Sequence, residues 1–145
     1  MAYIAPSLRQ QVTERARGRC EYCLTAQVIV VEMEVDHVVP ESGGGPTATH
    51  NLCLTCVGCN GFKLAFQDGI DPETGEQVPL FNPRVDQWEE HFSWSENGTL
   101  ILGQTAIGRT TIARLRMNRQ RMIEARELWV QAGWHPPARQ SRTVP

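Results

Sequence analysis

The sequence predicts an α+β fold, and three observations carry that expectation. Two Cys-x-x-Cys pairs, Cys20/Cys23 and Cys56/Cys59, bracket a β-branched stretch that runs into a glycine-rich loop. An Asn-Gly at 97–98 separates two short apolar runs, the strongest short-range hairpin signal in the chain. Residues 105–132 then place apolar side chains at helical spacing. The expected order is an N-terminal helix, two strands, a loop and a helix closed at their base by the four cysteines, and a C-terminal hairpin with two helices. With 145 residues the chain is the size of one ordinary domain. We expect a core over 1–66, an extension packed on it over 67–135, and a flexible tail over 136–145.

Residues Ser7 to Arg17 read as a short helix capped by Ser7, with Leu8, Val12 and Ala16 on one face and Gly18 at its end. The segment CEYC follows as a turn whose thiols can face one ion. Ala26 to Val31 and Glu32 to Val38 are rich in β-branched residues and read as two strands. Pro40 to Pro46 must be a loop, because three glycines between two prolines continue neither strand nor helix. A helical segment is expected to begin at Thr49 or His50 and run through Asn51, Leu52 and Leu54. It leads into CVGCNGFKL, a second knuckle and a short helix.

Gln67 to Pro83 is punctuated by Asp-Pro, Thr-Gly and Asn-Pro. It reads as an ordered excursion held down by Ile70, Val78, Leu80 and Phe81. Trp88, His91, Phe92 and Trp94 form an aromatic cluster that fills core rather than stacking on bases. Phe92–Glu96 and Thr99–Leu102 are the arms of the Asn-Gly hairpin. Thr105 to Met117 and Asn118 to Ala132 read as helices, the second capped by Asn118 and closed by Gly133. Ile112 and Leu115 form one apolar stripe. Met122, Ala125 and Trp129 form another with Leu128 beside it, and arginines take the remaining faces.

The net charge of −2 says little, but its distribution says more. Arg9, Arg15, Arg17 and Arg19 cluster near the N-terminus, and Arg109, Arg114, Arg116, Arg119, Arg121 and Arg126 face one carboxylate, Glu124. Such runs are either solvated helix faces or a nucleic-acid footprint. No stretch is apolar for long enough to cross a bilayer, and the N-terminus lacks the charged start and apolar run of a signal peptide. Cytoplasmic residence is therefore expected. Reduced thiols paired at short spacing there bind metal more readily than they form disulfides.

Cys20, Cys23, Cys56 and Cys59 are the strongest motif: four thiolates complete a tetrahedral zinc site with no open position, so the zinc is structural. Cys53 lies outside the pairs and reads as a small buried apolar residue. Asp36 can give an oxygen to a hard divalent ion, and His37 suits a general base near neutral pH. Strand alternation points these neighbours apart unless the strand bends or ends there. Asn60 follows Cys59, so the zinc would fix its amide, a second oxygen ligand. Lys63 shares its helical face and can reach a phosphate. Asn51 can hydrogen-bond the backbone near His37. Taken singly, Asn51 also reads as a helix cap, Asn60 as a turn residue and Lys63 as solvated surface.

The residues CEYC, VDHVVPESGGG, HN at 50–51 and CVGCNGFK resemble the HNH endonuclease family, or ββα-metal nucleases, of the four-cysteine zinc-knuckle type. FNPR at 81–84, HFSWSENGTLI and LWVQAGWHPP resemble the C-terminal extension of a group of bacterial HNH proteins. The resemblance implies that His37 is the general base, Asp36 a metal ligand and Asn51 the central Asn. Asn60 stands where the third signature residue falls, giving an H-N-N variant whose amide oxygen suits Mg²⁺ or Mn²⁺ better than soft metals. It further implies DNA as partner and metal-dependent hydrolysis of its phosphodiester bonds. A single site cuts one strand, so cleavage of both would need a homodimer, a partner protein or a second event. The alternative is a zinc-stabilised nucleic-acid-binding module without catalysis. A weaker one is a protein-interaction zinc module.

Overall fold

The computed structural model describes residues 2–138. Of the tail expected over 136–145, residues 139–145 lie outside the described residues. The fold is α+β, with three two-stranded antiparallel sheets among the described residues. No described helix is long and apolar enough to cross a membrane.

Helix α1 spans Pro6–Arg15. Proline at its first position presets φ where no donor is needed. Ala5, not Ser7, is the N-cap, and no side chain caps that end. Val12 is buried while Leu8 and Ala16 pack against the core. Gly18 ends the helix at φ +66.

The first departure comes at Ala26 to Val31. Instead of a strand, Ala26 makes an isolated bridge to Arg19, and Gln27–Val30 close one helical turn, α2. β-propensity needs a partner edge, and here none is offered. Strand β1 is Glu34–His37, within the expected Glu32–Val38 run. Its partner lies downstream. The expected helix from Thr49 through Leu54 is a single 3-10 turn at Thr49–Asn51, followed by strand β2, Leu52–Thr55. All four residues of β2 are buried, so they carry no alternation to distinguish strand from helix. β1 and β2 pair with Asp36 opposite Cys53 and His37 opposite Leu52. Helix α3, Val57–Lys63, begins on the second knuckle.

Strands β3, Asp68–Ile70, and β4, Gln77–Pro79, form a hairpin. Ile70 is exposed, contrary to expectation, whereas Leu80 and Phe81 are buried. Asp71 organises the tip. It accepts from Glu73 N and Thr74 Oγ1 and takes a two-pronged bond from Arg109 at 3.1 and 2.8 Å. The guanidinium holds the Asp71 carboxyl well below the usual carboxylate range.

A short turn α4, Trp88–His91, leads into β5, Phe92–Trp94, which pairs with β6, Ile101–Gly103. The aromatic residues fill core. Phe81 and Phe92 meet edge to face at 5.2 Å, and Trp88 lies 5.2 Å from Phe92 and 5.6 Å from Trp94. Trp88 Nε1 also donates to Tyr22 O inside the first knuckle, tying this cluster to the cysteines.

Helices α5, Ala106–Leu115, and α6, Gln120–Gln131, complete the chain. Thr105 caps α5 by accepting from Gly108 N. Asn118 does not cap α6. Its amide instead exchanges two hydrogen bonds with the Ile101 backbone. Gly133 closes α6 at φ +81. The outward placement of arginines fails at Arg126, which is 0% exposed. Its guanidinium donates to Thr99 O, Asn118 Oδ1 and Met117 O, and faces Trp94. Leu128, placed beside the apolar stripe, is exposed.

Replacing Arg126 with Met takes the donor from Thr99 O and Met117 O, each costing about 1–3 kcal/mol, while Asn118 Oδ1 keeps its bond from Ile101 N. We expect a loss of roughly 3 kcal/mol or more in urea unfolding; a change within error would mean these bonds do not hold α6. Burial also keeps His135 below its ordinary value, against the bond it makes with Gly98 O. Its folded-state pKa is thus the lower one. The associated stability is fully present above the unfolded value of about 6.5 and is lost as pH falls below it. The thermal midpoint should drop between about pH 7.5 and about pH 5.5, and His135→Gln should flatten that drop.

Candidate metal centres and active site

The two knuckles converge. The ligand sulfurs of Cys20, Cys23, Cys56 and Cys59 all lie within 4.8 Å of one another, and all four residues are buried. Cys23 Sγ and Cys56 Sγ are 3.7 Å apart. Tetrahedral zinc with bonds of about 2.3 Å places its sulfurs about 3.8 Å apart, so the cluster is sized for that ion. Backbone amides support it, with Cys23 N donating to Cys20 Sγ and Cys59 N to Cys56 Sγ. Soft, closed, buried donors of this kind fit structural zinc. Cys53 stays outside the cluster, buried, and burial pushes its thiol up to about 12. It is a neutral core residue.

The cluster fixes α3 against β1. Glu34 and Asp36 project from one face of β1, two residues apart. Asn60 and Lys63 project from the facing side of α3. Asn60 Nδ2 donates to Glu34 Oε1 at 3.1 Å, and Lys63 Nζ donates to Asp36 Oδ2 at 3.1 Å and to His37 O at 3.3 Å. These bonds leave Asp36 Oδ1 and Asn60 Oδ1 as oxygen donors. Two carboxylates and an amide oxygen are the donor types a hard cation takes. Lys63 is 2% exposed, so it neither stands in solvent nor extends toward an external phosphate. Glu34 was not singled out in the sequence, although its place two residues before Asp36 puts it on the same strand face.

The His37 side chain meets other elements. Its Nε2 lies 2.8 Å from Thr47 Oγ1 and 3.7 Å from Glu41 Oε1, both in the loop between β1 and β2. Strand alternation is kept, so Asp36 turns to α3 while His37 turns to the loop. Asn51 fixes that loop. Its Oδ1 accepts from Val39 N, and its Nδ2 donates to Val39 O and Pro46 O. It touches backbone only. Gly45 must lack a side chain here, because a Cβ would sit 1.8 Å from Val39 O and 2.6 Å from Asn51 Nδ2.

Several arginines are engaged internally. Arg15 donates to Thr49 O and Leu52 O, Arg19 to Leu24 O, and Arg84 pairs with Glu21, whose other oxygen accepts from Leu54 N.

The arrangement is a two-stranded hairpin and a helix, locked by a four-cysteine cluster. The model of the HNH endonuclease family matches residues 20–64, the span from the first knuckle cysteine to the end of α3. Residues 65–145 lie outside that match. No curated protein matches the chain. The matched segment is thus similar to an HNH unit of the zinc-knuckle kind, a family of generally nuclease-type activity with a metal site.

Because the four thiolates bind metal only together, metal binding here is part of folding. Cys56→Ser should lose both zinc and cooperative unfolding, read by metal analysis and circular dichroism. A folded, zinc-free variant would remove the structural role.

Proposed function

We propose that this chain is a metal-dependent endonuclease that hydrolyses DNA phosphodiester bonds. The observation that carries the reading is the facing of Glu34 and Asp36 on β1 with Asn60 on α3, at a spacing the cysteine cluster fixes. Asp36 Oδ1 and Asn60 Oδ1 would hold Mg²⁺ or Mn²⁺. Such an ion supplies Lewis-acid stabilisation of the phosphorane charge and of the leaving 3′ oxygen.

The chain's own groups do the rest. His37 is the general base. With Nε2–H donating to Thr47 Oγ1, the Nδ1 lone pair is left to take a proton from water. Glu41, 3.7 Å from that ring, stabilises the imidazolium that forms. Lys63 holds the Asp36 carboxylate and the His37 carbonyl, and so acts as a positioning residue. Asn51 is a second one, because it holds the loop that carries Thr47. Attack with the 3′ oxygen leaving gives 5′-phosphate and 3′-hydroxyl ends. On this reading residues 1–66 are the nuclease core and 67–135 its extension, working in the cytoplasm. One copy nicks, and two copies cut both strands.

One observation favours the second reading, a zinc-stabilised nucleic-acid-binding module. Lys63 already neutralises Asp36, as an idle site would require. Supercoiled plasmid at low salt separates the two. Wild type should give open circles with Mg²⁺ or Mn²⁺ and none without divalent ion. His37→Ala should lose a factor of about 10² to 10⁴ in rate while keeping its zinc. Equal cleavage by both proteins removes His37 as base. No cleavage by folded, zinc-loaded wild type in either metal leaves the binding module.

A further inference from the structure

The sequence offers two arginine-rich segments, and the structure removes four of their arginines as external contacts. Arg15, Arg19, Arg109 and Arg126 are spent on backbone carbonyls or carboxylates of the chain itself. Three others behave differently. Arg114 lies 4.1 Å over the Phe66 ring and donates weakly to Phe62 O at 3.4 Å. Arg116 and Arg119 lie 5.1 and 5.2 Å from the Phe62 ring centre. Arg119 also rests over Gly58 of α3, where a Cβ would sit 2.3 Å from its Nη2.

None of these three guanidiniums forms an ion pair among the described residues. Three cations are thus gathered at the α5–α6 corner around two aromatic rings without a carboxylate to compensate them. Arg114 spends Nε and Nη2 on Phe62 O at 3.4 Å and Arg119 spends Nη1 on Arg116 O at 3.2 Å, while the remaining guanidinium donors over the rings are open to phosphate oxygens. Phe62 and Gly58 occupy the side of α3 away from Asn60 and Lys63. The patch is therefore separated from the proposed catalytic face by one helix width, about 10 Å. Along one strand of duplex that distance covers about three phosphates.

We infer that Arg114, Arg116 and Arg119, seated on Phe62 and Phe66, form a grip for the DNA backbone on the strand flanking the cleavage position. This rests on the nuclease reading for the identity of the polyanion, but its test does not depend on cleavage. The grip is sequence-independent, because guanidinium–phosphate contacts read charge and spacing rather than base edges.

The test measures binding of a short DNA duplex against salt concentration, in a His37→Ala background without added divalent ion. Each lost phosphate contact should lower the slope of log K against log salt by about 0.9. Arg116→Gln with Arg119→Gln should therefore reduce it by nearly two, with the thermal midpoint held. Lysines at both positions should restore the slope, since charge is kept even where stacking is weakened. Arg9→Gln, an exposed arginine on α1, should leave it unchanged. An unaltered slope in the Gln pair would make these arginines internal packing only, and an equal fall in Arg9→Gln would make the contact diffuse. If wild type cleaves plasmid while the slope ignores the pair, the grip fails and the nuclease stands. If the slope falls but no metal supports cleavage, the grip stands and the nuclease fails.

Discussion

Four buried sulfurs within bonding distance of one ion constrain everything else in this molecule. Cys20 and Cys23 sit before the β1–β2 hairpin, Cys56 caps the start of α3 and Cys59 lies in its first turn. A metal held by both pairs would set the helix start relative to the strands with the narrow tolerance of metal–sulfur bonds. Asn60 and Lys63, one and four residues beyond the last ligand, inherit that precision. A helix of this length does not hold its own geometry in water, because nucleation is costly and few bonds repay it. The cluster and the packing against α5 take over that task.

Buried charge is the second theme, and the core tolerates it only where partners are complete. Lys63 has Asp36 and the His37 carbonyl, and Arg126 has three oxygens, from Thr99 and from the adjacent Met117 and Asn118. Glu21 shows the balance of forces. Burial raises its carboxyl, while Arg84 and the Leu54 amide oppose that rise. Glu21 belongs to the first knuckle and Arg84 to the segment that follows β4, so this contact ties the residues after the HNH unit back onto the zinc loop. Trp88 does the same through Tyr22 O. Such pairs cost much when one partner is removed and little when both are present, which makes them effective fasteners between segments distant in sequence.

The loop between β1 and β2 shows how a small number of polar groups replaces a core. Asn51 satisfies three backbone positions at once, and Gly45 is bare because the Val39 carbonyl and the Asn51 amide fill the space a side chain would take. The loop in turn carries Thr47 and Glu41 to the His37 ring. Imidazole orientation is thus set from the loop side, and carboxylate orientation from the helix side. Strand alternation is thereby kept, with Asp36 facing α3 and His37 facing the loop.

What the sequence determined by itself was local or strongly patterned. The paired cysteines, the Gly-Pro loop, the Asn-Gly hairpin and the two C-terminal helices all follow from chemistry within a few residues. Asn60 and Lys63 were legible as polar residues at fixed spacing from Cys59. Tertiary structure alone decided the rest. Ala26 to Val31 has strand propensity but only a single bridge at Ala26, so Gln27–Val30 close a helical turn instead. Leu52 to Thr55 is buried on every side, so its pattern carries no period, and only pairing with β1 makes it a strand. Asn118, Arg126 and Lys63 look like a cap and two surface cations, yet each is drawn inward by acceptors from distant segments. Propensity is a property of neighbours in sequence, whereas a strand partner or a buried acceptor is a property of neighbours in space.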